Sequence, residues 1–218
     1  ICGGDMSVDA GKIVYTQFLN TKGGIEADVT VTRLSETAYL VVTPAATRLA
    51  DETWLRRNLG SNIAVITDVT AGEGVLAVMG PNARALLQAV SPNDFSNEAN
   101  PFGTAQEIEL GMGLARAHRV SYVGELGWEI YVSTEMASHA FEALHAAGRP
   151  LGLKLCGMHT MDSCRIEKAF RHFGHDITSE DNVVDAGLSF AVDLSKPDFI
   201  GKSAVAARKE SGPTARMV

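Results

Sequence analysis

The sequence predicts an α+β fold of largely antiparallel sheets with packed helices, on three observations. Its 218 residues are 45% hydrophobic, which is enough chain to bury roughly 70% of the surface that the unfolded chain exposes. Glycine is frequent, at 21 residues, and glycine-rich turns lie between β-prone segments. Hairpins of this kind outnumber strand–helix–strand crossovers, and hairpins join antiparallel strands.

The first part of the chain has a strand pattern. Residues 14–19 are β-prone and lead into a glycine turn at 20–24, and residues 27–32 then alternate between apolar and polar side chains. This period of two turns the Asp28 side chain away from the valine face of its strand. Residues 39–42 are apolar on both faces, so we expect a third strand at the centre of a sheet.

Helical and strand patterns alternate in the middle of the chain. Apolar residues recur at spacings of three and four in two segments, whereas two others are β-prone. The resulting predictions, in chain order, are a helix over 50–59, strands over 63–69 and 75–79, a helix over 83–90 and a loop over 91–101. Gly60 supplies a stop for the first helix, and Pro81 suits the first turn of the second.

Two further strands and two further helices follow. Residues 114–132 predict a pair of strands around a four-residue link at 124–127, which has glycine at both ends. Helical spacing of apolar residues predicts one helix over 136–148 and another over 161–174, each of which ends at a glycine.

Composition and charge exclude several classes of protein. The formal net charge is −7, whereas a nonspecific nucleic-acid surface needs an excess of Lys and Arg. Neither a membrane span of about 20 apolar residues nor a cleavable secretion signal is recognisable. The three cysteines form no C-x-x-C pair, which argues against a disulfide framework and a thiolate zinc site. We expect a cytoplasmic protein, or a mitochondrial matrix protein in a eukaryote, and a piece of a longer polypeptide.

Three local patterns suggest chemistry but have simpler interpretations. Residues 72–77 fit the dinucleotide fingerprint G-x-G-x-x-A, yet they open a strand-like segment rather than a helix. His172, His175 and Asp176 straddle a glycine, so a capping cluster is favoured over a metal site. No metal is expected. Cys156 and Cys164 are interpreted as small buried hydrophobic residues rather than as nucleophiles.

An acidic and aromatic set is more informative. Asp28 follows a double glycine, where the backbone can approach a ligand closely. Tyr122, Glu125 and Glu129 crowd one predicted hairpin, and a period of two puts Glu129 and Tyr131 on the face opposite Trp128. A buried Glu129 would be costly without a partner, so we expect a cationic or amide-like one.

Four motifs in order, with two later segments through which the similarity extends, resemble the aminomethyltransferase family, the folate-binding family of the glycine cleavage system T protein. They are VYTQFLN at 14–20, GGIEADVTV at 23–31, VMGPNAR at 78–84, SYVGELGWEI at 121–130, DSCRIE at 162–167 and FIGK at 199–202. Two of them, GIEADVTV and YVGELGWE, are most similar to the folate domain of dimethylglycine and sarcosine dehydrogenases. The resemblance covers nearly the whole chain.

The resemblance implies an aminomethyltransferase folate-binding fold of antiparallel sheets around a central folate pocket. Its catalytic aspartate falls on Asp28. Its folate contacts fall on Tyr15, Thr43, Tyr122, Glu125, Glu129 and Arg165, with Tyr15 and Tyr122 as the aromatic wall and Glu129 as the pterin anchor. Thr43 stands where many members have Asn, and Phe173 where many have Tyr. Residues 1–200 would be an N-terminally truncated folate domain and 201–218 the start of the connection to a C-terminal β-barrel.

The activity implied by the resemblance is one-carbon transfer. An aminomethyl or iminium donor derived from an amine would react with tetrahydrofolate to give 5,10-methylenetetrahydrofolate. FAD would belong only to an upstream domain outside this chain, and a flavin domain or a lipoyl carrier protein would be the partner. Two alternatives remain open: a folate-binding regulatory module without catalysis, which has no need for Asp28, and a folate-dependent demethylase.

Overall fold

A three-stranded antiparallel sheet opens the chain in the computed structural model, which describes residues 1–215. This sheet belongs to a first unit, formed by residues 1–67 together with residues from 171 onward, and residues 68–170 form a second unit. The elements of the first unit are β1 (Ile13–Leu19), β2 (Ile25–Arg33), β3 (Tyr39–Val42), α1 (Arg48–Arg57) and α5 (Lys202–Ser211).

The hairpin between β1 and β2 is fixed by its turn residues. The Asn20 side-chain oxygen accepts hydrogen bonds from the backbone N–H groups of Lys22 and Gly24, both at 3.0 Å, which is the Asx geometry that initiates turns. Gly23 has φ of +82°, a conformation that favours glycine. The turn places Leu19 opposite Ile25, and an irregularity between Phe18 and Leu19 shifts the register by one residue, so that Gln17 pairs directly with Asp28.

The first sheet has one apolar face and one largely polar face. Phe18, Ala27, Val29 and Val31 pack with Trp54 and other side chains on the apolar face. The alternation predicted for residues 27–32 is therefore confirmed, and Asp28 lies on the opposite face, as expected. The prediction for residues 39–42 is wrong in one respect, because β2 is central and β3 lies at the edge of the sheet.

A second core of the first unit joins the β1–β2 hairpin to the late part of the chain. Leu19 and Ile25 pack with Ile177, Val183 and Phe199, among others. Helix α5 contributes to the same core through a buried Val205. The hairpin is thus supported by residues that follow it by more than 150 positions.

The second unit contains a four-stranded antiparallel sheet and three α-helices. Its elements are β4 (Glu73–Met79), α2 (Ala83–Val90), β5 (Ala105–Leu110), β6 (Gly113–His118), β7 (Gly127–Ser133), α3 (Ala137–Gly148) and α4 (Met158–Glu167), and the strand order is β4-β7-β6-β5. One face of this sheet packs on α2 and α3, with Trp128 at 0% exposure in the core. The other face carries polar side chains from neighbouring strands. Within residues 1–215, the paired strands of both sheets run antiparallel, which confirms the predicted fold class.

Three element predictions differ from the structure. Residues 63–69 form no strand, and the Ile63 and Val65 side chains are exposed, because no neighbouring strand pairs with them. The link before β7 spans residues 119–126 rather than 124–127, and β5 was not predicted. Helix α4 ends at Glu167 instead of 174, since Ala169 has φ of +55°, which is incompatible with a right-handed helix.

No helix within residues 1–215 is long and apolar enough to cross a membrane.

Candidate functional site

Asp28 lies on the polar face of the first sheet, next to two β1 side chains. The Gln17 side-chain Nε2 donates a hydrogen bond to Asp28 Oδ1 at 2.8 Å. A second hydrogen bond joins the Tyr15 side chain to the Asp28 side chain. The structure therefore brings together Tyr15 and Asp28, two of the residues that the resemblance assigns to the site.

Burial controls the acidity of Asp28. Removal from water raises the pKa of this carboxyl above its usual value, and the hydrogen bonds from Gln17 and Tyr15 offset part of that increase. None of these donors carries a charge. A carboxyl in such surroundings holds a proton more readily than an exposed aspartate, which suits a group that takes up and releases protons.

Tyr15 is also held from its other side. Its ring stacks on Phe190, with centroids 6.0 Å apart and planes 29° apart. Phe190 itself is largely exposed and belongs to a short 3₁₀ turn, Ser189–Ala191. The stacked pair forms an aromatic surface beside the Asp28 carboxylate in the first unit.

Glu129 is the counterpart in the second unit, on the polar face of the second sheet. The Tyr131 hydroxyl donates a hydrogen bond to Glu129 Oε2 at 2.7 Å, and His118 lies directly opposite Glu129 in the β6–β7 register. The predicted faces are confirmed, because Trp128 lies in the core on the other side. The partner found among residues 1–215 is a phenol, and the expected cationic or amide-like partner stays a prediction.

A row of interacting side chains surrounds Tyr131. Arg116 donates two 3.0 Å hydrogen bonds to the Glu73 carboxylate and a 3.2 Å bond from Nε to His118 Nε2. The Arg116 guanidinium carbon lies 5.5 Å from the centroid of the Tyr131 ring, and the His118 ring centroid lies 4.3 Å from it. Arg116 is thus neutralised by Glu73 rather than by Glu129.

Burial shifts the titration of this row. It lowers the pKa of His118 to about 4, with Arg116 contributing in the same direction, so the imidazole is neutral near pH 7. It raises the pKa of Glu129, and the hydrogen bond from Tyr131 opposes that increase. It also raises the pKa of Tyr131, so the phenol remains a donor.

Tyr122 and Arg165 meet at Phe170. The Tyr122 and Phe170 rings stack with centroids 6.4 Å apart, and Arg165 Nη1 donates to the Phe170 carbonyl oxygen at 2.9 Å. Arg165 is 2% exposed and forms an ion pair with Asp162, which lies three residues earlier on α4, at 2.6 Å. Much of the Arg165 donor capacity is therefore used within the protein.

Thr43 and Glu125 lie in different surroundings. The Thr43 hydroxyl donates to Asp51 Oδ2, which also accepts from the Thr47 hydroxyl at 2.7 Å, so Thr43 helps to hold a buried carboxylate at the start of α1. Glu125 is exposed, in the link before β7. The structure does not join either residue to Asp28 or Glu129, and their assignment to folate stays a prediction.

The alternative chemical patterns have structural explanations. Residues 73–79 form β4, so the G-x-G-x-x-A match opens a strand as expected. Asp176 accepts from the His172 backbone N–H at 3.0 Å, in line with a capping cluster. Within the described residues, no group of three or more His, Cys, Asp or Glu side chains could hold a metal ion. The expectation of burial was wrong for Cys156, which is exposed, and for Cys164, which is half-buried.

The double glycine before Asp28 accommodates the protein's own backbone. A Cβ on Gly24 would lie 2.0 Å from the Ser179 carbonyl oxygen, and a Cβ on Gly23 would lie 2.7 Å from Asn182 Nδ2. Gly24 and Asn182 also form an isolated β-bridge. The close neighbour in the structure is residues 179–182, and the expected close approach to a ligand stays a prediction.

Sequence reasoning missed Gln17 and His118, and it did not assign the contact between Tyr131 and Glu129. Gln17 gives a local signal only in sharing a face with Tyr15, because the five-residue turn at 20–24 alone would pair it with Ala27, and an irregularity between Phe18 and Leu19 shifts the pairing to Asp28. His118 gives no such signal, because its position opposite Glu129 depends on the eight-residue link that the sequence did not reveal.

A scan against protein-family models matches residues 1–196 to the GCVT N-terminal domain. The chain belongs to the GCVT N-terminal domain family. The recognised resemblance is confirmed, whereas the expected domain boundary at residue 200 stays a prediction.

Members and relatives of this family include oxidases, dehydrogenases and transferases. The chain is 44% identical, over 98% of its length, to 4-methylaminobutanoate oxidase (formaldehyde-forming) of Paenarthrobacter nicotinovorans. It is 34% identical to the mitochondrial sarcosine dehydrogenase of Homo sapiens, over 98% of its length, and to an aminomethyltransferase of Shouchella clausii, over 94%. It is thus an aminomethyltransferase-like domain that is related to amine dehydrogenases.

A solved structure supports the same fold. The glycine cleavage system aminomethyltransferase T of Bartonella henselae superposes with a TM-score of 0.82 at 29% identity, over 95% of this chain and 55% of that one. The chain spans 26% of the oxidase, 25% of the sarcosine dehydrogenase and 55% of the S. clausii transferase. This GCVT N-terminal domain therefore corresponds to a part of each of these relatives.

Proposed function

We propose that this chain binds tetrahydrofolate and transfers a one-carbon unit onto it, forming 5,10-methylenetetrahydrofolate from an aminomethyl or iminium donor. The observation that carries the proposal is the state of Asp28. Its carboxylate is largely buried and accepts hydrogen bonds from two neutral donors, and burial raises its pKa. The chain that carries it belongs to the GCVT N-terminal domain family. A regulatory folate-binding module would have no need for such a group.

Asp28 is assigned two tasks in this reaction. The donor carries positive charge on nitrogen and loses a proton as the one-carbon unit is transferred, so a nearby carboxylate can stabilise the charge and accept the proton. Gln17 and Tyr15 hold the carboxylate without neutralising it, since neither is a cation. General acid–base catalysis of this kind contributes about 10² to 10⁴ in rate.

Glu129 is assigned to the pterin. The pterin ring presents an amino group and a ring N–H side by side, and a carboxylate accepts such a pair through both oxygens with charge-assisted hydrogen bonds. Within residues 1–215, Tyr131 donates to Glu129 Oε2 and no side chain donates to Oε1. A half-buried carboxylate without a cationic partner in this part of the chain fits this ligand, because the two pterin N–H groups would donate the hydrogen bonds that its oxygens can still accept. Further folate contacts are proposed for five other side chains: Tyr15, Thr43, Tyr122, Glu125 and Arg165.

The proposal extends to a larger protein. The oxidase relative acts on a methylaminobutanoate and the dehydrogenase relative on sarcosine, by their names, and both are N-methyl amines. We assign this chain to the folate portion of a similar amine-oxidising flavoprotein, where FAD in another domain would oxidise the amine to the one-carbon donor. A lipoyl carrier protein is the alternative donor, and a cytoplasmic or matrix setting stays a prediction.

Product analysis tests the proposal. The polypeptide that carries this chain is incubated with sarcosine, an electron acceptor and tetrahydrofolate. Formaldehyde, 5,10-methylenetetrahydrofolate and 5-methyltetrahydrofolate are quantified over time, and the same mixture without protein but with added formaldehyde corrects for spontaneous condensation. We expect 5,10-methylenetetrahydrofolate to form faster than in that control, with a matching decrease in free formaldehyde.

Each other outcome contradicts the proposal in a distinct way. 5-Methyltetrahydrofolate as the product would identify a demethylase. Saturable folate binding without either product would identify a regulatory module. Absence of folate binding by the isolated 218-residue chain, measured by calorimetry, would reject the folate assignment altogether.

A further inference from the structure

Gln17 occupies a position where a polar side chain is unfavourable unless it has a task. It is 0% exposed, in the middle of β1, and its side-chain Oε1 is buried without a hydrogen-bond partner among the described residues. A buried polar atom of this kind destabilises a fold, whereas an apolar side chain of similar volume would not. The amide nitrogen explains its presence, because Nε2 donates to Asp28 Oδ1 at 2.8 Å.

We propose that Gln17 is a positioning residue for Asp28, whose amide fixes the carboxylate through Oδ1 and adapts to its protonation state. This inference rests on the proposed function. Gln17 would affect the reaction only through its hydrogen bond to Asp28.

The β1–β2 pairing makes the contact precise. Gln17 and Asp28 are direct cross-strand partners, so their side chains leave the same face of the sheet side by side. Both strands continue with regular pairing on the side of Tyr15 and Thr30, which leaves the two side chains little freedom to separate. Position 17 is thus a place where an amide can hold a carboxylate without the rotamer freedom of a surface contact.

The unpartnered oxygen gives the amide a second use. While Asp28 is ionised, Nε2 is the group that faces it. Once Asp28 has accepted a proton, rotation of the amide by half a turn presents Oε1, which accepts a hydrogen bond from the carboxylic acid. One side chain can therefore stabilise both forms of Asp28, which a single-function donor such as a lysine cannot do.

Few other groups bear on Asp28. β1 contributes Tyr15 in addition to Gln17, and Glu26 lies one position along on the same face of β2, where it accepts a hydrogen bond from Asn20 at 2.9 Å. β3 pairs only with residues 30–33 and places no titratable group beside Asp28. No ionised side chain within residues 1–215 contributes to the shift in the Asp28 pKa. The effect of changing Gln17 is therefore readable in the titration of Asp28.

Two substitutions of Gln17 test the proposal. Gln17→Met keeps the approximate volume and removes the amide, whereas Gln17→Glu places a second carboxylate against Asp28. The amide stabilises the ionised form more strongly than the protonated form, because a hydrogen bond to a charged acceptor is the stronger one. Loss of the amide therefore raises the pKa of Asp28, and a neighbouring carboxylate raises it further. We expect the acid limb of the pH profile for one-carbon transfer to move to higher pH by about one unit in Gln17→Met and by more in Gln17→Glu.

Two further measurements separate positioning from stability. The transfer rate of Gln17→Met at pH 7 should fall by about fivefold or more, while the Kd for tetrahydrofolate stays within about twofold. The Asp28 carboxyl is also titrated directly by ¹³C NMR in the 218-residue chain with labelled aspartate. Thr32→Val is the matched control, because Thr32 is 0% exposed on the same face of the sheet and its hydroxyl has no hydrogen-bond partner among the described residues. This variant should leave the pH profile of transfer and the NMR titration of Asp28 unchanged.

The outcomes distinguish this inference from the proposed function. A parallel Asp28→Asn variant with full transfer activity would reject the function of Asp28 itself. Loss of transfer in Asp28→Asn, together with an unmoved pH limb and an unmoved Asp28 titration in both Gln17 variants, would overturn only the role of Gln17. A fall in thermal stability without either shift would identify Gln17 as a packing residue and would likewise overturn it.

Discussion

Asp28 and Glu129 share an arrangement at the scale of single residues. Each is a half-buried carboxylate that is contacted by neutral hydroxyl or amide donors, and burial raises the pKa of each. Most buried carboxylates in proteins pair with cations, as Arg116 does here with Glu73. These two carboxylates form no ion pair within residues 1–215, so they are suited to ligands that bring N–H donors or positive charge.

Replacement of Asp28 should separate catalysis from binding. Asp28→Asn keeps the shape of the side chain but removes the negative charge and the proton acceptor, so turnover should fall by about tenfold or more while folate affinity stays near normal. Steady-state transfer rates and calorimetric Kd values measure the two effects. Unchanged turnover would contradict the assignment of Asp28 as the catalytic residue.

Replacement of Glu129 should have the opposite pattern. Glu129→Gln keeps the shape and loses the charge-assisted hydrogen bonds to the pterin, so the Kd for tetrahydrofolate should rise by about tenfold or more. Glu107→Gln is the control, since Glu107 is an exposed carboxylate on the same sheet. Equal effects of the two substitutions would indicate a general charge effect rather than a specific contact.

His118 predicts how stability depends on pH. Its folded pKa of about 4 lies below the ordinary 6.5, so its contribution to stability is present above pH 6.5 and is lost as the pH falls through 4. The loss amounts to on the order of 3 kcal/mol. The raised pKa values of Asp28 and Glu129 have the opposite effect. The contribution of such a carboxyl to the unfolding free energy decreases as the pH rises.

The His118 contribution is isolated by comparing variants. His118→Gln keeps an acceptor for Arg116 but does not titrate, so its unfolding free energy should fall less between pH 7 and pH 5 than that of the parent chain. Urea denaturation at the two pH values measures this difference. His159→Gln, at an exposed position, should behave like the parent chain. Parallel pH dependence in His118→Gln and the parent would contradict the prediction.

At the scale of elements, the sequence predicts those helices and strands whose hydrophobic pattern reflects one buried and one exposed face. β2 alternates because one face is apolar and the other polar, and that period alone gives the orientation of Asp28. β5 was missed because its sequence, AQEIEL, combines alternation with residues of low β-propensity. Residues 63–69 have high β-propensity but no partner strand, and the presence of a partner depends on contacts that a local pattern does not contain.

The candidate site divides in the same way. The faces of Asp28 and Glu129 follow from the strand period, and the ion pair of Arg165 with Asp162 is a local contact of one helical turn. The assignment of Tyr15, Tyr122 and Arg165 to folate came from motifs rather than from periodicity. The role of Gln17 required a strand register, and the neighbours of Tyr131 required the full order of the second sheet.

The β1–β2 turn predicts an effect on stability. Gly24→Ala would push a Cβ against the Ser179 carbonyl oxygen, where the two atoms would otherwise lie 2.0 Å apart, so we expect destabilisation by about 2 kcal/mol or more. Gly72→Ala is the control, because a Cβ there meets nothing within 4 Å. Urea denaturation of both variants measures the difference, and equal stability would show that the turn can move away from Ser179.

At the scale of the whole chain, folate binding should stabilise the folded state by mass action. Tetrahydrofolate at a concentration of 100 Kd contributes about 2.7 kcal/mol, which corresponds to an increase of roughly 5–10 °C in Tm for a chain of this length. p-Aminobenzoylglutamate lacks the pterin and should give a much smaller increase. An equal increase with both compounds would contradict pterin recognition by Glu129.

The division of the first unit into two separated stretches of chain affects how it is made by the ribosome. Ile25 and its core partner Ile177 are about 150 residues apart in sequence. At a synthesis rate of about 5–20 residues per second, roughly 8–30 s pass between synthesis of the hairpin and synthesis of the apolar side chains that cover it. Residues 68–170 are synthesised during that interval and contain their own core. Released chain fragments that end before residue 177 should therefore expose Leu19 and Ile25 to chaperones, while the inserted unit is already resistant to protease.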